Sequence, residues 1–422
     1  MVPVAIGLSL LLLFLSLPIF LVFGIGSSAV AIQGLNLPWS TLIQIAFGAV
    51  TKQVLLAIPL FIFAGLVMLR SGVARRLVNF AMTLVGHWPG GLGVAMVITM
   101  GFFAAFCGSI LAAITAVGSI MMPQMLNKGY SAPFTVALAA AAGLLEALIP
   151  PSNAAIIYSG LTGVPVSDTF AAGVMPGLTL LFILILVVIV RCWHMEREVR
   201  ATLQQRISAF RQALPGLLTP VIILGGIYSG LLTPSETAAV AAVWAIFLGF
   251  AVHRELTFEG LWQSLQGTAI TTSVIFSIIA MATFLSVVLT YTQAPQKLTT
   301  FFVEFGVTPI MFLFVVGAIC LILGTFVEIV PVFYLTVPVF MAVAMTLDVP
   351  LTHLYIVFTA FAGLGLLTPP VCVGLYTASS VINLSADRAF GNALMFVGVG
   401  IVYAVLMILL PGLATWLPET LR

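Results

Sequence analysis

The sequence predicts an all-α protein that crosses a membrane many times and is built from two related halves. Of its 422 residues, 62% are hydrophobic and only 6% are charged, whereas a soluble domain carries roughly a quarter of charged residues. Apolar stretches long enough to span a bilayer recur along the whole chain. Two of them, one in each half, are interrupted by a double proline, at Pro150-Pro151 and at Pro369-Pro370.

The first half, residues 1–190, is predicted to hold spanning helices, one hairpin and one broken helix. Proline removes a backbone donor and clashes with the preceding turn, so a helix is expected to break at residues 150–151. Segment 107–123, which opens at Cys107-Gly108-Ser109, is too short to cross alone and is predicted to form the hairpin. The N-terminal apolar run exceeds a signal-peptide core and is expected to remain as a spanning helix. The spans are expected near 4–24, 28–48, 54–70, 90–106, 132–149 and 172–191.

A basic linker, residues 191–212, joins the two halves. It holds the densest group of arginines in the chain, and loops rich in Arg and Lys remain on the cytoplasmic side of a membrane. We therefore expect the linker in the cytoplasm. The formal net charge is only +2 and there is no continuous basic tract, so a nucleic-acid partner is not expected.

The second half, residues 213–422, follows the same plan. A hairpin is predicted at 325–345, which opens after Gly324, and a broken helix at 369–370. Thr233-Pro234-Ser235-Glu236 predicts a helix start, with Thr233 as N-cap and Glu236 completing a capping box. Spans are expected near 214–232, 236–252, 268–291, 309–324, 352–367 and 391–416.

The halves resemble each other in the order of their elements. Each shows an amphipathic basic piece, a glycine-marked helix, an arm containing a proline (Pro123, Pro338), a further helix and the double proline. Such repeats, often inverted, are common in secondary transporters, and paired interruptions mark their binding sites. An inverted arrangement is favoured if an odd number of crossings separates equivalent points.

The interruptions are predicted to form an ion and solute site within the membrane. Half-helix N-termini present amides to anions, while unwound carbonyls and hydroxyls coordinate hard cations such as sodium. The structural alternative is that Gly and Ser simply allow close helix packing. We expect the solute to contact Ser109, Ser152, Asn153, Thr325, Glu328 and Thr368, and the sodium candidates are Gly108, Ser109, Pro150, Ser152, Gly324, Thr325, Thr368 and Pro370.

Two carboxylates, Glu146 and Glu328, lie inside apolar stretches. Intramembrane carboxylates are costly and indicate function by default. Glu328 is four residues beyond Gly324, near the predicted hairpin tip, where it would help to form the site. Glu146 lies one helical turn before Pro150 and is the candidate coupling residue. Three roles stay open for Glu146: binding a cation, carrying a proton, or pairing with a neighbouring helix.

No pattern in the chain indicates an enzyme. The four cysteines, Cys107, Cys192, Cys320 and Cys372, share no metal-ligand spacing, so neither a zinc site nor a disulfide is predicted. Walker lysine and His-Glu-x-x-His motifs are missing from the sequence. No cofactor is expected apart from sodium as the coupling ion. The alternative class is a membrane scaffold or an intramembrane enzyme, which predicts no uptake driven by a sodium gradient.

Five segments together resemble the large membrane subunit of tripartite ATP-independent periplasmic (TRAP) transporters. Each is weak alone, but their order and spacing match that family nearly end to end. The segments are Phe106-Cys-Gly108-Ser109, Met122-Pro-Gln-Met-Leu-Asn-Lys-Gly129-Tyr130-Ser131, Ile149-Pro-Pro-Ser152, Leu232-Thr-Pro-Ser-Glu236-Thr-Ala-Ala and Leu367-Thr-Pro-Pro370.

The resemblance implies a sodium-driven elevator. A fixed scaffold domain would hold a transport domain, in which two hairpins and two broken helices carry sodium and a small, mostly organic-acid solute. It also implies two partners, a small four-helix membrane subunit and a periplasmic solute-binding protein. The expected location is the bilayer of the bacterial inner membrane.

The chain departs from the family pattern at three places. Cys107 stands where serine is usual, Glu146 stands where glycine is common, and Val371 follows the second double proline without a nearby hydroxyl. An unpaired carboxylate at Glu146 would repel an anionic solute. Glu146 is therefore expected to be protonated or paired, or to point away, unless the solute is not a simple dicarboxylate. The alternative function is a stand-alone or proton-coupled carrier of related fold that uses Glu146.

Overall fold

The computed structural model describes residues 12, 17–33, 38–195 and 197–421, and all regular structure among them is helical. Eight helices within this part of the chain are long and apolar enough to cross a membrane. The protein is therefore a multi-pass membrane protein, as the sequence predicts. The eight are Gln53–Arg70, Ile110–Asn127, Val166–Arg191, Leu203–Tyr228, Pro234–Val252, Phe258–Tyr291, Ile329–Thr346 and Ala386–Leu409.

The beginning of the chain differs from its predicted spans. The predicted helix at 4–24 lies mostly outside the described residues. The helix Ile19–Gln33 runs through the break predicted between residues 24 and 28, and a separate helix follows at Trp39–Val50. Within this helix Ser27 Oγ donates a 2.6 Å hydrogen bond to the Phe23 carbonyl, so its hydroxyl is satisfied without a break.

Two pairs of helices hold the tips predicted as hairpins. In the first helix pair, Gly91–Cys107 and Ile110–Asn127 contact each other and are joined by Gly108 and Ser109. In the second helix pair, Pro309–Gly324 and Ile329–Thr346 contact each other and are joined by residues 325–328. The predicted hairpin segments 107–123 and 325–345 correspond to the second helix of each pair. The prediction that segment 107–123 is too short to cross alone is wrong, because Ile110–Asn127, like Ile329–Thr346, is a helix of 18 residues that is apolar enough to span a membrane. The spans expected at 90–106 and 309–324 are instead the shorter first helices of the pairs. Gly108 has a φ of +64°, a left-handed conformation that glycine adopts without strain.

Two broken helices follow the pairs. The first comprises Ala132–Leu148 and Asn153–Thr162, which meet at an angle of 42°. The second comprises Leu351–Gly365 and Val373–Val381. In each, the Pro-Pro segment separates the two pieces, and both Pro-Pro peptide bonds are cis.

The two halves exchange contacts at these breaks. Asn153–Thr162, which follows the first double proline, packs on Ile329–Thr346 of the second helix pair. Val373–Val381, which follows the second double proline, packs on Ile110–Asn127 of the first helix pair. Each short helix therefore lies against the tip-forming helix of the opposite half.

The long helix Phe258–Tyr291 connects this central region to the outer helices. It packs on Ile19–Gln33, Trp39–Val50 and Ala57–Arg70, and on its other side it contacts Ile329–Thr346. Its middle section thereby forms a wall beside the second tip.

Two predicted boundaries are wrong. The span expected at 391–416 is two helices, Phe390–Leu409 and Gly412–Thr420, because Pro411 at the junction has no amide proton to continue the ladder. The shorter piece packs on Val166–Arg191. The helix Leu203–Tyr228 begins inside the predicted linker, with a capping box formed by Thr202 and Gln205.

The predicted helix start at Thr233 is confirmed. The Thr233 side chain accepts a hydrogen bond from the Glu236 backbone amide, and the Glu236 carboxylate accepts a 2.8 Å bond from the Thr233 amide. Orphan amides at the N-terminus of Pro234–Phe247 are thus satisfied locally. This accounts for Glu236 as a structural residue.

Candidate functional site

A cavity of about 560 Å³ lies where the two tips, the first break and the long helix meet. The first tip contributes Gly108 and Ser109, and the second tip contributes Glu328. Cavities of this size are typical of sites for small molecules. The remaining lining residues are Ile62, Leu66, Leu69, Ile110, Leu111, Ala112, Thr115, Glu146, Ala147, Ser152, Asn153, Ala154, Ile270, Thr271, Val274, Ile275, Ile278, Ile329, Val330, Pro331 and Leu366.

Glu146 lies on Leu145–Leu148, the last turn of the piece Ala132–Leu148, which ends at the first break. The residue is only 1% exposed, and neither carboxylate oxygen forms a hydrogen bond with any described residue. The carboxylate lies near the backbone N–H groups of Gly108 and Ser109 at the first tip but outside hydrogen-bonding geometry. A buried carboxylate without a partner is expensive, so its position calls for a cation, a proton or a water molecule.

Asn153 stands beside the same tip. Its side-chain amide lies against Gly108, where a Cβ added to Gly108 would come within 3.3 Å of it. Asn153 is 7% exposed, and its Oδ1 has no hydrogen-bond partner among the described residues. Two unsatisfied oxygen-bearing side chains, Glu146 and Asn153, therefore converge on Gly108.

The carbonyl of Ala147 holds the first break in shape. It accepts a hydrogen bond of 2.9 Å from Ser152 Oγ and one of 3.0 Å from the Tyr355 hydroxyl. Tyr355 belongs to Leu351–Gly365 of the second half, so this contact ties the two broken helices together. The Ser152 proton is used in this bond, and the lone pairs of Oγ stay free to accept or to coordinate.

The second break is built from closely packed backbone. Gly365 and Gly324 touch so tightly that a Cβ on Gly365 would lie 2.3 Å from the Gly324 carbonyl carbon and 2.7 Å from the Thr325 nitrogen. Thr325 Oγ1 donates to the Ile322 carbonyl at 2.7 Å, and Thr368 Oγ1 donates to the Leu364 carbonyl at 2.9 Å. Both hydroxyls thus keep their lone pairs available, as Ser152 does.

Glu328 differs from Glu146 in its surroundings. It is the residue before the helix Ile329–Thr346, and its side chain makes no capping bond. It is exposed, and it lines the cavity. The cavity therefore has one buried carboxylate at the first tip and one accessible carboxylate at the second.

A family model described as "Tripartite ATP-independent periplasmic transporter, DctM component" matches residues 6–413. The chain belongs to the DctM family of TRAP transporters. This confirms the family predicted from the sequence motifs. The DctM relatives are transporter permeases, so this chain is a transport protein and not an enzyme.

Curated DctM relatives cover most of the chain. The C4-dicarboxylate TRAP transporter large permease protein DctM of Pseudomonas aeruginosa is 38% identical over 369 residues, which are 87% of this chain and 86% of that protein. The sialic acid TRAP transporter large permease protein SiaM of Vibrio cholerae is 31% identical over 97% of this chain and 96% of its own length. The isethionate TRAP transporter permease protein DctMQ of Oleidesulfovibrio alaskensis is 32% identical over 92% of this chain but only 61% of its own length.

Solved structures share the fold at low sequence identity. The Alcanivorax borkumensis YdaH transporter has a TM-score of 0.62 and 15% identity over 97% of this chain and 98% of that one. Neisseria gonorrhoeae MtrF has a TM-score of 0.60 and 10% identity over 90% and 85% of the two chains. At these identities the likeness concerns the fold alone.

The structure divides the predicted site residues of this DctM chain into two groups. Gly108, Ser109, Glu146, Ser152, Asn153 and Glu328 line the cavity. Gly324, Thr325 and Thr368 lie outside its lining, at the packed second break, and Pro150 and Pro370 do not line it either. Among the predicted site residues, those of the first half other than Pro150 therefore line the cavity, whereas Glu328 is the only one of the second half that does.

Sequence reasoning missed two contributors. Tyr355 supports the first break from the opposite half, and Thr271 with its apolar neighbours on Phe258–Tyr291 forms a cavity wall. Neither carries a local signal, since a tyrosine or a threonine in an apolar helix is ordinary. Only the contacts between distant segments reveal them.

Proposed function

We propose that this DctM chain is the solute-translocating subunit of a sodium-coupled TRAP transporter in a bacterial inner membrane. It would move a small solute, an organic acid or a related compound, by an elevator motion. The observation that carries the proposal is the cavity between the two tips, in which the unpartnered oxygens of Glu146 and Asn153 converge on Gly108.

Sodium coupling is supported by the oxygen atoms available for coordination near the two breaks. Sodium, like other hard cations, is bound by carboxylate, amide, hydroxyl and carbonyl oxygens. At the first break, Glu146, Asn153 Oδ1 and the lone pairs of Ser152 supply such oxygens, and Ser109 lies at the same tip. At the second break, the hydroxyls of Thr325 and Thr368 keep free lone pairs, and the backbone of Thr325 lies against Gly365. Each break thus offers a separate cation position.

Solute binding is supported by the volume and by three helix starts. The helices Ile110–Asn127, Asn153–Thr162 and Ile329–Thr346 begin at the lining residues Ser109, Ser152 and Glu328. Helix N-termini carry a partial positive charge and unpaired amides. They would orient a polar solute while the Ile, Leu and Val wall holds its apolar part.

An elevator motion is supported by the distribution of contacts. Each post-proline helix packs on the helix pair of the opposite half, so the pairs and the broken helices are linked into one body. The long helix Phe258–Tyr291 belongs to the outer helices and meets that body along the cavity wall. Sliding of the inner body along this wall would carry the site across the membrane.

Two partners follow from the family. TRAP transporters are by description periplasmic and tripartite, and we propose a small four-helix membrane subunit and a periplasmic solute-binding protein as the other components. This chain matches only 61% of the isethionate permease DctMQ. That protein therefore holds a further segment that this chain does not match.

The test is uptake into proteoliposomes that contain this chain and its small subunit, with the binding protein added outside. Imposed sodium and pH gradients are compared at equal membrane potential. The proposal predicts uptake that requires inward sodium and the binding protein. Uptake that ignores sodium would exclude sodium coupling, and uptake without the binding protein would indicate a stand-alone carrier.

A second candidate function, proton coupling, is favoured by one observation. Glu146 is buried, unpaired and placed at the first tip, as a proton-carrying carboxylate would be. It predicts uptake driven by a pH gradient and lost in Glu146→Gln. The matched control is Glu304→Gln, the same change at an exposed helix end, which should leave uptake unchanged. Uptake by Glu146→Gln that still follows a pH gradient would exclude this role.

A further inference from the structure

The charged side chains that line the cavity limit the range of possible solutes further than family membership does. Among the described residues that line it, none is lysine, arginine or histidine, whereas two are glutamates. A dicarboxylate would enter a space of low dielectric with no cationic side chain to pair with. It would also face the carboxylate of Glu328 at the second tip.

The two carboxylates have different uses. Glu146 is buried against the first tip together with the unpartnered Asn153 Oδ1, which suits a coupling cation. A sodium ion bound there would neutralise Glu146. Glu328 is exposed and lines the cavity, and its carboxylate has no hydrogen bond or ion pair with any described residue. Its charge would remain available to the solute.

We propose that the solute is a zwitterion with an apolar body, and that Glu328 binds its ammonium group. The inference rests on the proposed transport function, whose solute site it defines further. The carboxylate of such a solute would lie at the amides of the helix starts near Ser109 and Ser152. Its body would lie against the aliphatic wall formed by Leu66, Val274 and their neighbours. An aliphatic α-amino acid has this distribution of charge and apolar surface.

The arrangement of the wall agrees with this class. The long helix contributes Ile270, Val274, Ile275 and Ile278, and the helix Ala57–Arg70 contributes Ile62, Leu66 and Leu69. Burying an aliphatic side chain against such a surface is favourable in proportion to its area. A compact, strongly hydrated dianion would gain nothing from this wall.

The experiment measures ligand protection directly at the cavity, so the selectivity of the binding protein does not enter. Thr115 lines the cavity and is exposed, whereas the native cysteines are buried. In the Thr115→Cys variant of the complex with its small subunit, the rate of alkylation by a thiol reagent is followed with sodium present. Four probes are compared: leucine, 4-methylpentanoate (leucine without its ammonium group), isopentylamine (leucine without its carboxylate) and succinate.

Leucine is expected to slow alkylation at a concentration about tenfold lower than any of the other three probes. Adding Glu328→Gln should remove the advantage of leucine over 4-methylpentanoate. Adding Glu146→Gln should change the sodium requirement and leave that advantage in place. Glu304→Gln is the control and should change neither.

Three results would overturn the proposal: better protection by succinate than by leucine, no protection by leucine, or an unchanged preference in Glu328→Gln. None of these depends on the driving ion. Sodium-driven uptake in proteoliposomes together with any of them would leave the transport function intact and reject only the solute class. Absence of sodium-driven uptake would reject the transport function instead.

Discussion

Replacing Gly365 by alanine perturbs the contact between the second helix pair and the second broken helix. A Cβ at this position would lie 2.3 Å from the Gly324 carbonyl carbon, 2.5 Å from Gly324 Cα and 2.7 Å from the Thr325 nitrogen. These are backbone atoms and cannot turn aside as a side chain does. The backbones of Leu351–Gly365 and Pro309–Gly324 would have to separate by about 1 Å to reach ordinary van der Waals contact.

Overpacking of a dense interior costs about 1–3 kcal/mol, and a clash with backbone belongs at the upper end of that range. For a chain of this length the melting temperature should fall by roughly 2–4 °C. Sodium-dependent uptake should weaken as well, because the separation moves the Thr325 segment away from Gly365.

The assay is thermal unfolding of the purified protein in detergent, followed by fluorescence-detected chromatography. Gly398→Ala is the matched control, since a Cβ on Gly398 meets nothing within 4 Å. In a helix this change should be neutral or stabilise by up to about 1 kcal/mol. A melting temperature for Gly365→Ala equal to or above that of Gly398→Ala would refute the close contact at the second break.

Two further predictions concern a polar contact outside the candidate membrane spans, which joins Arg75 and Arg76 to Glu255 beside His253. Arg76 donates a 2.7 Å hydrogen bond to Glu255, whereas Arg75 reaches the same residue only at 4.0 Å and is 68% exposed. Arg76→Ala should therefore lower the free energy of unfolding by about 1 kcal/mol. Arg75→Ala should leave that free energy within about 0.5 kcal/mol of the wild-type value. Equal losses of stability in thermal unfolding would contradict this geometry. Burial, and secondarily the charge of Arg76, lowers the pKa of the His253 imidazole, which is bonded to the Ser71 carbonyl and also faces Glu255. The unfolded chain then binds the proton more readily, so stability should fall as the pH drops below about 6.5. Melting temperatures measured across that range should show a smaller decrease in His253→Gln, and an unchanged decrease would assign the pH dependence elsewhere.

Much of the fold follows from local patterns. Long apolar runs predicted the spanning helices, and the double prolines predicted where helices break, because proline removes a donor that nothing in lipid replaces. The capping box at Thr233 and Glu236 was predicted because all of its atoms lie within four residues. Helix boundaries were less predictable, since the helix Ile19–Gln33 continues through Ser27, whose hydroxyl bonds within its own helix.

The candidate site was predictable only in part. Glu146, Ser109 and Asn153 stand next to breaks that the sequence marks, and the structure gathers them at one cavity. The contribution of Tyr355 to the Ala147 carbonyl joins residues more than 200 positions apart. The tight pairing of Gly324 with Gly365 likewise depends on how two helices approach. No local pattern records either contact.

The proposal that the two breaks bind sodium is tested most directly by the sodium dependence of uptake when single site hydroxyls are removed. Ser109→Ala and Thr325→Ala each delete one candidate oxygen, one at each tip beside its break. Ser273→Ala is the control, since its hydroxyl is exposed on the long helix and donates to the Ala269 carbonyl. The sodium concentration for half-maximal uptake should rise about tenfold in both site variants, as expected for loss of one polar contact to an ion, and should stay unchanged in the control. An unchanged sodium requirement in both site variants, with the protein properly inserted, would contradict a site in which the two breaks bind sodium.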